Sequence, residues 1–283
     1  MTRCLISAVL ASLCLVVSSQ LVVAATVTQQ YDFNGDLTDS LGGEPLVAVN
    51  TQTSEFSGGA WRWTADGQPG AGLILSAVLS DPQNYSVGFR FSYNDFSSDP
   101  DGYTKIMSFL GETDDNGLYF KTDGMSTKLE FYPYLEKPAT EYKAGTVYDF
   151  VLTRTSVGEG TVRIYRVSEG VPTLVFEAAD PSGAAVPREL GRAPKAADDG
   201  RLIEEGLYEF RLFMDDTDTN DEYTTGGSVF LVKVWGETLS ESEVGTALDV
   251  DRAPSIPVAV MPYWLLGVLG GLLGLMGLRR VGA

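Results

Sequence analysis

The sequence predicts an all-β protein built as an antiparallel β-sandwich. Apolar side chains alternate from Tyr85 to Tyr93, which places Tyr85, Val87, Phe89, Phe91 and Tyr93 on one face of a strand. Similar short runs recur along the chain and are joined by turns rich in Gly, Asp, Asn and Pro. No helical period of useful length precedes Glu241. Regular strand spacing without intervening helices favours a sandwich over βαβ units.

The other predicted elements follow the same patterns. Further strands are expected at 105–110, 118–121, 128–134, 146–153, 161–167, 173–178, 208–214 and 228–236. Residues 180–199 contain several prolines, glycines and alanines, which predicts an exposed loop or insertion. A short helix is expected over 242–250, with Ser240 as its N-cap and Glu243 completing a capping box.

The N-terminus has the composition of a secretory signal peptide, predicted over residues 1–25. Arg3 precedes an apolar stretch that ends in the small residues Ala24 and Ala25. We expect the mature chain to begin at Thr26 or, by the alternative cut, at Ala25; an uncleaved N-terminal anchor is the other interpretation. Both cysteines lie within this segment, so the mature chain has neither disulfides nor histidine.

The C-terminus is predicted to be a transmembrane segment with a basic end. Residues 250–257 form a linker and short motif, and 258–283 form the segment itself. The uncharged run from 258 to 278 is about 31 Å long as a helix, enough to cross a hydrocarbon core of about 30 Å. The terminal arginines are expected on the cytoplasmic side.

This tail resembles the C-terminal sorting signals of the PEP-CTERM type, in particular the Ile-Pro-Thr-Leu variety. The residues that carry the resemblance are Ile256, Pro257, Trp264, Arg279 and Arg280. The resemblance implies an exosortase-like sorting enzyme as partner, the inner membrane of a Gram-negative bacterium as an intermediate location, and the cell surface or extracellular matrix as the destination. A permanent single-pass anchor is the alternative.

Two stretches at the ends of the central region, 31–40 and 232–244, resemble the first and last strands of LamG-like domains. The resemblance implies one concanavalin A-like jelly roll over residues 26–249. The physical role of both stretches is packing and turn formation. This fold hosts many functions, so the resemblance predicts architecture more than activity.

Catalytic chemistry is restricted by composition. Without histidine or a mature cysteine, the chain lacks Ser-His-Asp and Cys-His arrangements and any His metal site. Carboxylate-pair glycosidases stay open as an alternative, but 204–205 and 215–216 are adjacent acidic pairs, whose side chains point to opposite faces of a strand. We therefore expect no enzyme activity, with a diverged glycan hydrolase as the less favoured alternative.

A calcium site is conceivable at Asp216, Asp218 and Asn220, which are spaced two apart as in the first half of an EF-hand loop. The second half of the loop departs from the pattern, because Asp221 stands where glycine is needed and Gly227 where a bidentate glutamate is needed. A solvated hairpin tip is the alternative.

Two aromatic pairs are candidates for stacking on sugar rings. Trp61 and Trp63 share a face if their segment is extended, and so do Tyr132 and Tyr134. Core packing is the alternative for both pairs.

The net charge of −18 argues against nucleic acid and anionic lipid as partners of the domain. Together, these features predict an exported surface or matrix protein whose sandwich is a non-catalytic module that binds an extracellular polysaccharide or a surface protein. A structural matrix or biofilm component without a specific ligand is the alternative.

Overall fold

The computed structural model describes residues 25–249 except 50, 52, 65–70, 97–101, 111–115, 125, 133, 135–139, 191–206 and 215–225. The compact unit that holds the sandwich ends at Leu248. Among the described residues, no helix has the length and apolar character to span a membrane. The predicted signal peptide and the predicted transmembrane segment lie outside the described residues.

The described residues form two antiparallel sheets and one short helix. The strands are β1 (Val27–Tyr31), β2 (Val47–Val49), β3 (Thr53–Phe56), β4 (Trp61–Thr64), β5 (Gly72–Val78), β6 (Tyr85–Tyr93), β7 (Tyr103–Ser108), β8 (Gly117–Asp123), β9 (Ser126–Tyr132), β10 (Tyr148–Thr155), β11 (Thr161–Ser168), β12 (Val171–Ala179), β13 (Arg188–Glu189), β14 (Leu207–Leu212) and β15 (Gly227–Trp235). The helix is α1 (Glu241–Val244).

The eight-stranded sheet has the order β12-β11-β10-β6-β15-β4-β3, with β1 as its eighth strand. Both β4 and β1 pair with the same edge of β15, β4 along residues 227–229 and β1 along residues 232–235. The seven-stranded sheet has the order β2-β5-β14-β7-β8-β9, with β13 paired to β14. The prediction of an all-β antiparallel sandwich is confirmed.

The core between the sheets is mostly aromatic, and β6 lies at its centre. The five alternating side chains of β6 are at most 1% exposed, as the period-2 pattern predicted. Phe91 contacts Phe120 and Phe213 across the sandwich, with ring centroids 6.1 and 5.3 Å apart. Each such ring removed from water contributes about 1.5–3 kcal/mol, so this cluster is the main stabilising feature.

The alternation in β6 implies a single buried face, and this is wrong, because the opposite face is largely covered too. Leu239 to Leu248 turn back over the eight-stranded sheet and form an outer cluster with its strands. Trp235 and Leu248 pack over Gly88, where an added Cβ would lie 2.9 Å from Leu248 Cδ2. Ser92, on the same face, is only 9% exposed. Alternation distinguishes two faces of a strand but does not show which segment covers the second one.

The predicted exposed loop at 180–199 is partly wrong as well. Asp180 is buried against Arg154, with 2.8 Å between Oδ2 and Nε, and Ala185 is also buried. β13 follows at 188–189, while residues 191–199 lie outside the description. Proline and glycine indicate irregular backbone, which here packs inward because a buried arginine needs the Asp180 carboxylate.

The terminal helix begins as predicted but ends early. Glu243 Oε2 accepts a hydrogen bond from the backbone N–H of Ser240 at 2.8 Å, which is one half of the predicted capping box. The α-helix stops at Val244 rather than 250 and continues as turns to Leu248. Val244 and Leu248 face the outer cluster, so this short segment serves mainly as a cover.

Candidate functional site

The two predicted tryptophans lie in the core. Trp61 and Trp63 do share a face of β4, and their rings stack at 5.1 Å with an interplanar angle of 11°. Each residue is 1% exposed, because that face is the inner one. Buried in this way, the rings offer no surface to a sugar.

The predicted tyrosine pair separates. Tyr132 is the last residue of β9 and is 38% exposed. The ring of Tyr134 packs 5.2 Å from that of Phe131, and its hydroxyl donates to Asp180 Oδ1. Burial and this hydrogen bond to an anion raise the pKa of Tyr134. The two tyrosines do not share a face because β9 ends between them, so only Tyr132 is available at the surface.

The remaining predicted site residues are not described by the structure. The calcium candidates Asp216, Asp218 and Asn220 lie in the gap 215–225, and the sorting residues Ile256, Pro257, Trp264, Arg279 and Arg280 lie beyond 249. Within the described ranges, no three Asp or Glu side chains cluster as metal ligands would.

A cavity of about 440 Å³ lies beside the Arg154–Asp180 pair, at one end of β10. Two of the charged residues that line it, Arg154 and Asp180, already bond to other groups of the protein. Asp180 accepts from Tyr134 and Arg154, and Nη1 of Arg154 donates to the Gln83 carbonyl and side-chain oxygens at 2.7 Å. We assign this network to holding the 180–185 segment against the sandwich.

The outer face of the seven-stranded sheet has a different character. On β8, Leu118 and Phe120 point into the core, so Tyr119 and Lys121 point outward. Cross-strand pairing places Lys105 of β7 and Glu130 of β9 on either side of Tyr119. The next row across the sheet is Tyr103, Lys121 and Lys128. Directly opposed residues share a face, so all of these side chains lie together.

We call this surface the Lys–Tyr face. Its members are Tyr103, Lys105, Tyr119, Lys121, Lys128, Glu130 and Tyr132. Tyr132 belongs to it because it is two residues beyond Glu130 on the same side of β9. Asp123, two residues beyond Lys121 on β8, adjoins this face on the same side of the sheet, so the described residues there include three lysines and two carboxylates.

The lysines and tyrosines of this face interact directly. Lys105 Nζ donates to the Tyr119 hydroxyl and lies 4.1 Å from the centre of that ring. Lys121 Nζ lies 3.4 Å from the centre of the Tyr103 ring. The two tyrosine rings meet edge to face, with centroids 5.6 Å apart. Lys121 is thus held over an aromatic ring, a contact worth about 0.5–2 kcal/mol, whereas Lys105 is hydrogen-bonded at the hydroxyl end of the Tyr119 ring.

The depth of these side chains divides the face into two layers. Lys105 is fully buried, and Tyr119 and Glu130 are 1% exposed. Tyr103, Lys121 and Lys128 are half-buried, and Tyr132 is the most exposed. Burying a charge is costly, and the core of a sandwich does not require charges on its outer side.

A buried ion pair extends the same face toward β14. Arg211 Nε lies 2.7 Å from Glu209 Oε1, and Arg211 is paired across the sheet with Ser108 of β7. The pair is neutral as a unit, so it adds polar groups to this side of the sheet without adding net charge.

Sequence reasoning found the three strands of this face but not the face itself. Alternation within 103–105, 119–121 and 128–132 separates polar from apolar positions on each strand. Bringing those polar positions together requires the β7–β8 and β8–β9 registers, which single-strand periodicity does not supply.

Comparisons with known proteins support the architecture. No family model matches the chain, and no curated protein matches it. Among solved structures, Trypanosoma rangeli sialidase in complex with 2,3-difluorosialic acid aligns at a TM-score of 0.51 and 13% identity, over 79% of this chain and 32% of the sialidase. Another structure of this sialidase aligns at 0.51 and 11% identity, over 80% and 35%.

The botulinum neurotoxin serotype D binding domain aligns at a lower TM-score of 0.47 and 9% identity, over 78% of this chain and 51% of that one. The chain spans about a third of the length of the sialidases. At these identities, the sialidase matches show similarity of fold alone.

Proposed function

We propose that the sandwich is a non-catalytic module that binds an acidic polysaccharide through the Lys–Tyr face. The observation that carries this proposal is the concentration of lysine and tyrosine on one sheet face of an otherwise strongly acidic chain. In the same proposal, the domain is a concanavalin A-like jelly roll that is exported by its signal peptide and sorted by its PEP-CTERM-type tail. A calcium ion at the 216–220 loop remains part of the prediction.

The chemistry of the face suits an anionic sugar polymer. The accessible layer of the face suits this role: the Tyr103 and Tyr132 rings provide flat surfaces with a polar edge, and the ammonium groups of Lys121 and Lys128 form charge-assisted hydrogen bonds with carboxylate or sulfate. The remaining surface of a chain with charge −18 repels an anionic polymer, so binding is directed to the positive face.

The face is suited to binding rather than hydrolysis. A glycoside hydrolase needs two carboxyl groups that flank the scissile bond. Among the described residues, the outer side of this sheet carries Asp123, Glu130 and Glu209; Glu209 is held by Arg211 in an ion pair, and Asp123 lies at the exposed end of β8. We therefore propose that Glu130 balances the buried lysine charge.

The proposal is tested by titrating the exported protein with polygalacturonate and, separately, with a neutral glucan. We expect binding to the acidic polymer only, and weaker binding as salt rises. Lys121→Gln is expected to lower affinity about tenfold, the effect of losing one charge-assisted hydrogen bond of about 1.5 kcal/mol. Equal binding to both polymers, or to neither, would contradict the proposal.

A matched control is Arg62→Gln. Arg62 is an exposed cation on β4, in the other sheet, so this change removes one positive charge outside the Lys–Tyr face. We expect affinity for polygalacturonate to stay within about twofold of the unmodified protein. The same reactions are monitored for shorter products, because polysaccharide turnover abolished by Glu130→Gln would establish the hydrolase alternative instead.

A further inference from the structure

The first described residues of the chain meet two carboxylates at one corner of the sandwich. The backbone N–H of Ala25 donates to Glu243 Oε1 at 3.1 Å, and that of Thr26 donates to Glu237 Oε1 at 3.0 Å. Both glutamates come from the segment that follows β15, the strand with which β1 pairs. The two N–H groups belong to the two residues at which signal-peptide cleavage is predicted to leave the new N-terminus.

A carboxylate that accepts a hydrogen bond from a peptide N–H keeps its net charge of −1. A neutral amide donor leaves its full negative charge uncompensated, whereas an α-ammonium at the same position would neutralise it. Glu243 also accepts hydrogen bonds from Ser240, which fix its orientation toward Ala25.

We infer that cleavage between Ala24 and Ala25 creates an α-ammonium group that forms an ion pair with Glu243, so that removal of the signal peptide completes this corner of the fold. Hydrolysis adds one water across the Ala24–Ala25 bond. Ala24 leaves with the carboxylate, and the new amine of Ala25 takes up a proton at neutral pH. The inference uses the predicted signal peptide and is independent of the Lys–Tyr face.

The structure favours Ala25 over Thr26 as the first residue. Ala25 is half-buried and packs against the outer cluster, beside a partly buried hydrogen bond to Glu243. Thr26 and Glu237 are both exposed, and an exposed ion pair contributes little. Cleavage after Ala25 would also remove a residue that belongs to the packed structure.

The pH dependence of stability distinguishes this ion pair from an ordinary hydrogen bond. Burial alone would raise the pKa of Glu243, but hydrogen bonds from Ser240 and from the Ala25 backbone outweigh burial and hold the pKa below its ordinary value. The carboxylate is therefore charged at neutral pH. An α-amino group has an ordinary pKa of about 7.7–8.0, and pairing with Glu243 raises it in the folded state.

Stabilisation by the pair is therefore fully present below about pH 7.7 and is lost as pH rises through the folded-state pKa. Other charged or titratable groups on the packed elements are Lys233 in β15, Glu237 after it, Glu241 in α1 and Tyr165 in β11. The ordinary pKa values of lysine, glutamate and tyrosine side chains lie outside pH 7–9, whereas that of an α-amino group lies inside this range.

The test compares melting temperatures of the exported protein and its Glu243→Gln variant at pH 6.5 and pH 9.5. Loss of the Ser240 hydrogen bonds lowers the melting temperature equally at both pH values. Loss of the ion pair lowers the melting temperature by about a further 2 °C at pH 6.5 and by little more at pH 9.5. Glu241→Gln, an exposed change on the same helix, is expected to show no such pH-dependent difference.

Two outcomes would overturn the inference. One is an N-terminal residue other than Ala25 in the intact mass of the exported protein. The other is a Glu243→Gln effect of equal size at both pH values. If Glu243→Gln does not fold, a variant whose signal peptide leaves one glycine before Ala25 replaces it. That glycine moves the ammonium about 3.8 Å away and should abolish the pH-dependent part.

Discussion

The two sheets of this sandwich share one core, but their outer faces differ in chemical character. The eight-stranded sheet is covered by its own C-terminal segment, and the contacts there are mostly apolar, with Trp235 and Leu248 packed over Gly88 and the buried cation Lys233 donating to the Ala247 carbonyl. The outer face of the seven-stranded sheet instead gathers Lys105, Tyr119 and their neighbours, with charges at or below the surface.

The difference separates a face that stabilises the fold from one that is costly to the fold. Apolar burial on the eight-stranded side contributes to stability in proportion to its area. Buried charge on the other side brings a desolvation cost that good pairing only offsets. The Lys–Tyr face combines such charges with half-buried lysines and tyrosines, and the proposed binding rests on this face.

The largest expected effect is on the apolar face. Trp235→Ala should lower the free energy of unfolding by about 3–5 kcal/mol, because Trp235 is 3% exposed and its removal opens a cavity under the C-terminal segment. Urea unfolding measures the change. Val157→Ala, at a position 77% exposed, is the control and should cost less than about 0.5 kcal/mol. Similar losses for both variants would show that the segment does not cover this face.

An intermediate loss of stability is expected at Gly88, where the same face is most closely packed. Gly88→Val adds a side chain where a Cβ alone would lie 3.2 Å from the Trp235 ring and 2.9 Å from Leu248. Overpacking of this kind costs about 1–3 kcal/mol. The measurement is again urea unfolding, and adding Leu248→Ala to the Gly88→Val chain should recover less than the full loss because Trp235 remains. A neutral Gly88→Val would mean that the cover is loose.

The smallest expected effect on stability is on the Lys–Tyr face. Lys121→Gln removes a half-buried cation 3.4 Å from the Tyr103 ring and should cost less than about 1 kcal/mol. The same variant is expected to bind polygalacturonate about tenfold more weakly, so its effect on affinity is larger than its effect on stability. A loss of stability as large as that of Trp235→Ala would assign this face to the fold instead.

Sequence reasoning gave the strands where alternation is strong and missed those where it is weak. β6 was predicted with its correct ends and inner face, whereas β2, β3 and β13 are two to four residues long, too short to show a period. β5 is seven residues long and was also missed, because its largely apolar sequence does not alternate with polar residues. Trp61 and Trp63 share a face as predicted, and the structure decides for core packing over sugar stacking, a choice that periodicity cannot make because it does not identify which face is inside.

The candidate site was less accessible from the sequence, for a physical reason. Tyr132 was singled out, and the other aromatic candidates proved to be buried or packed against the core. The Lys–Tyr face depends on pairings between β7, β8 and β9 that are set by turns and by a bulge between Lys105 and Met107. An irregular register of this kind has no signature in the composition of one strand.

The position of β15 also has a mechanical consequence. This last strand lies inside the eight-stranded sheet, bonded to β6 on one side and to β1 and β4 on the other. A pull on the C-terminal end would first strip away the segment from Leu239 to Leu248. It would then load β15 along its length, in shear, so that hydrogen bonds on both sides resist together rather than opening one at a time. A domain held at a surface by this end would bear tension through its most firmly bonded strand.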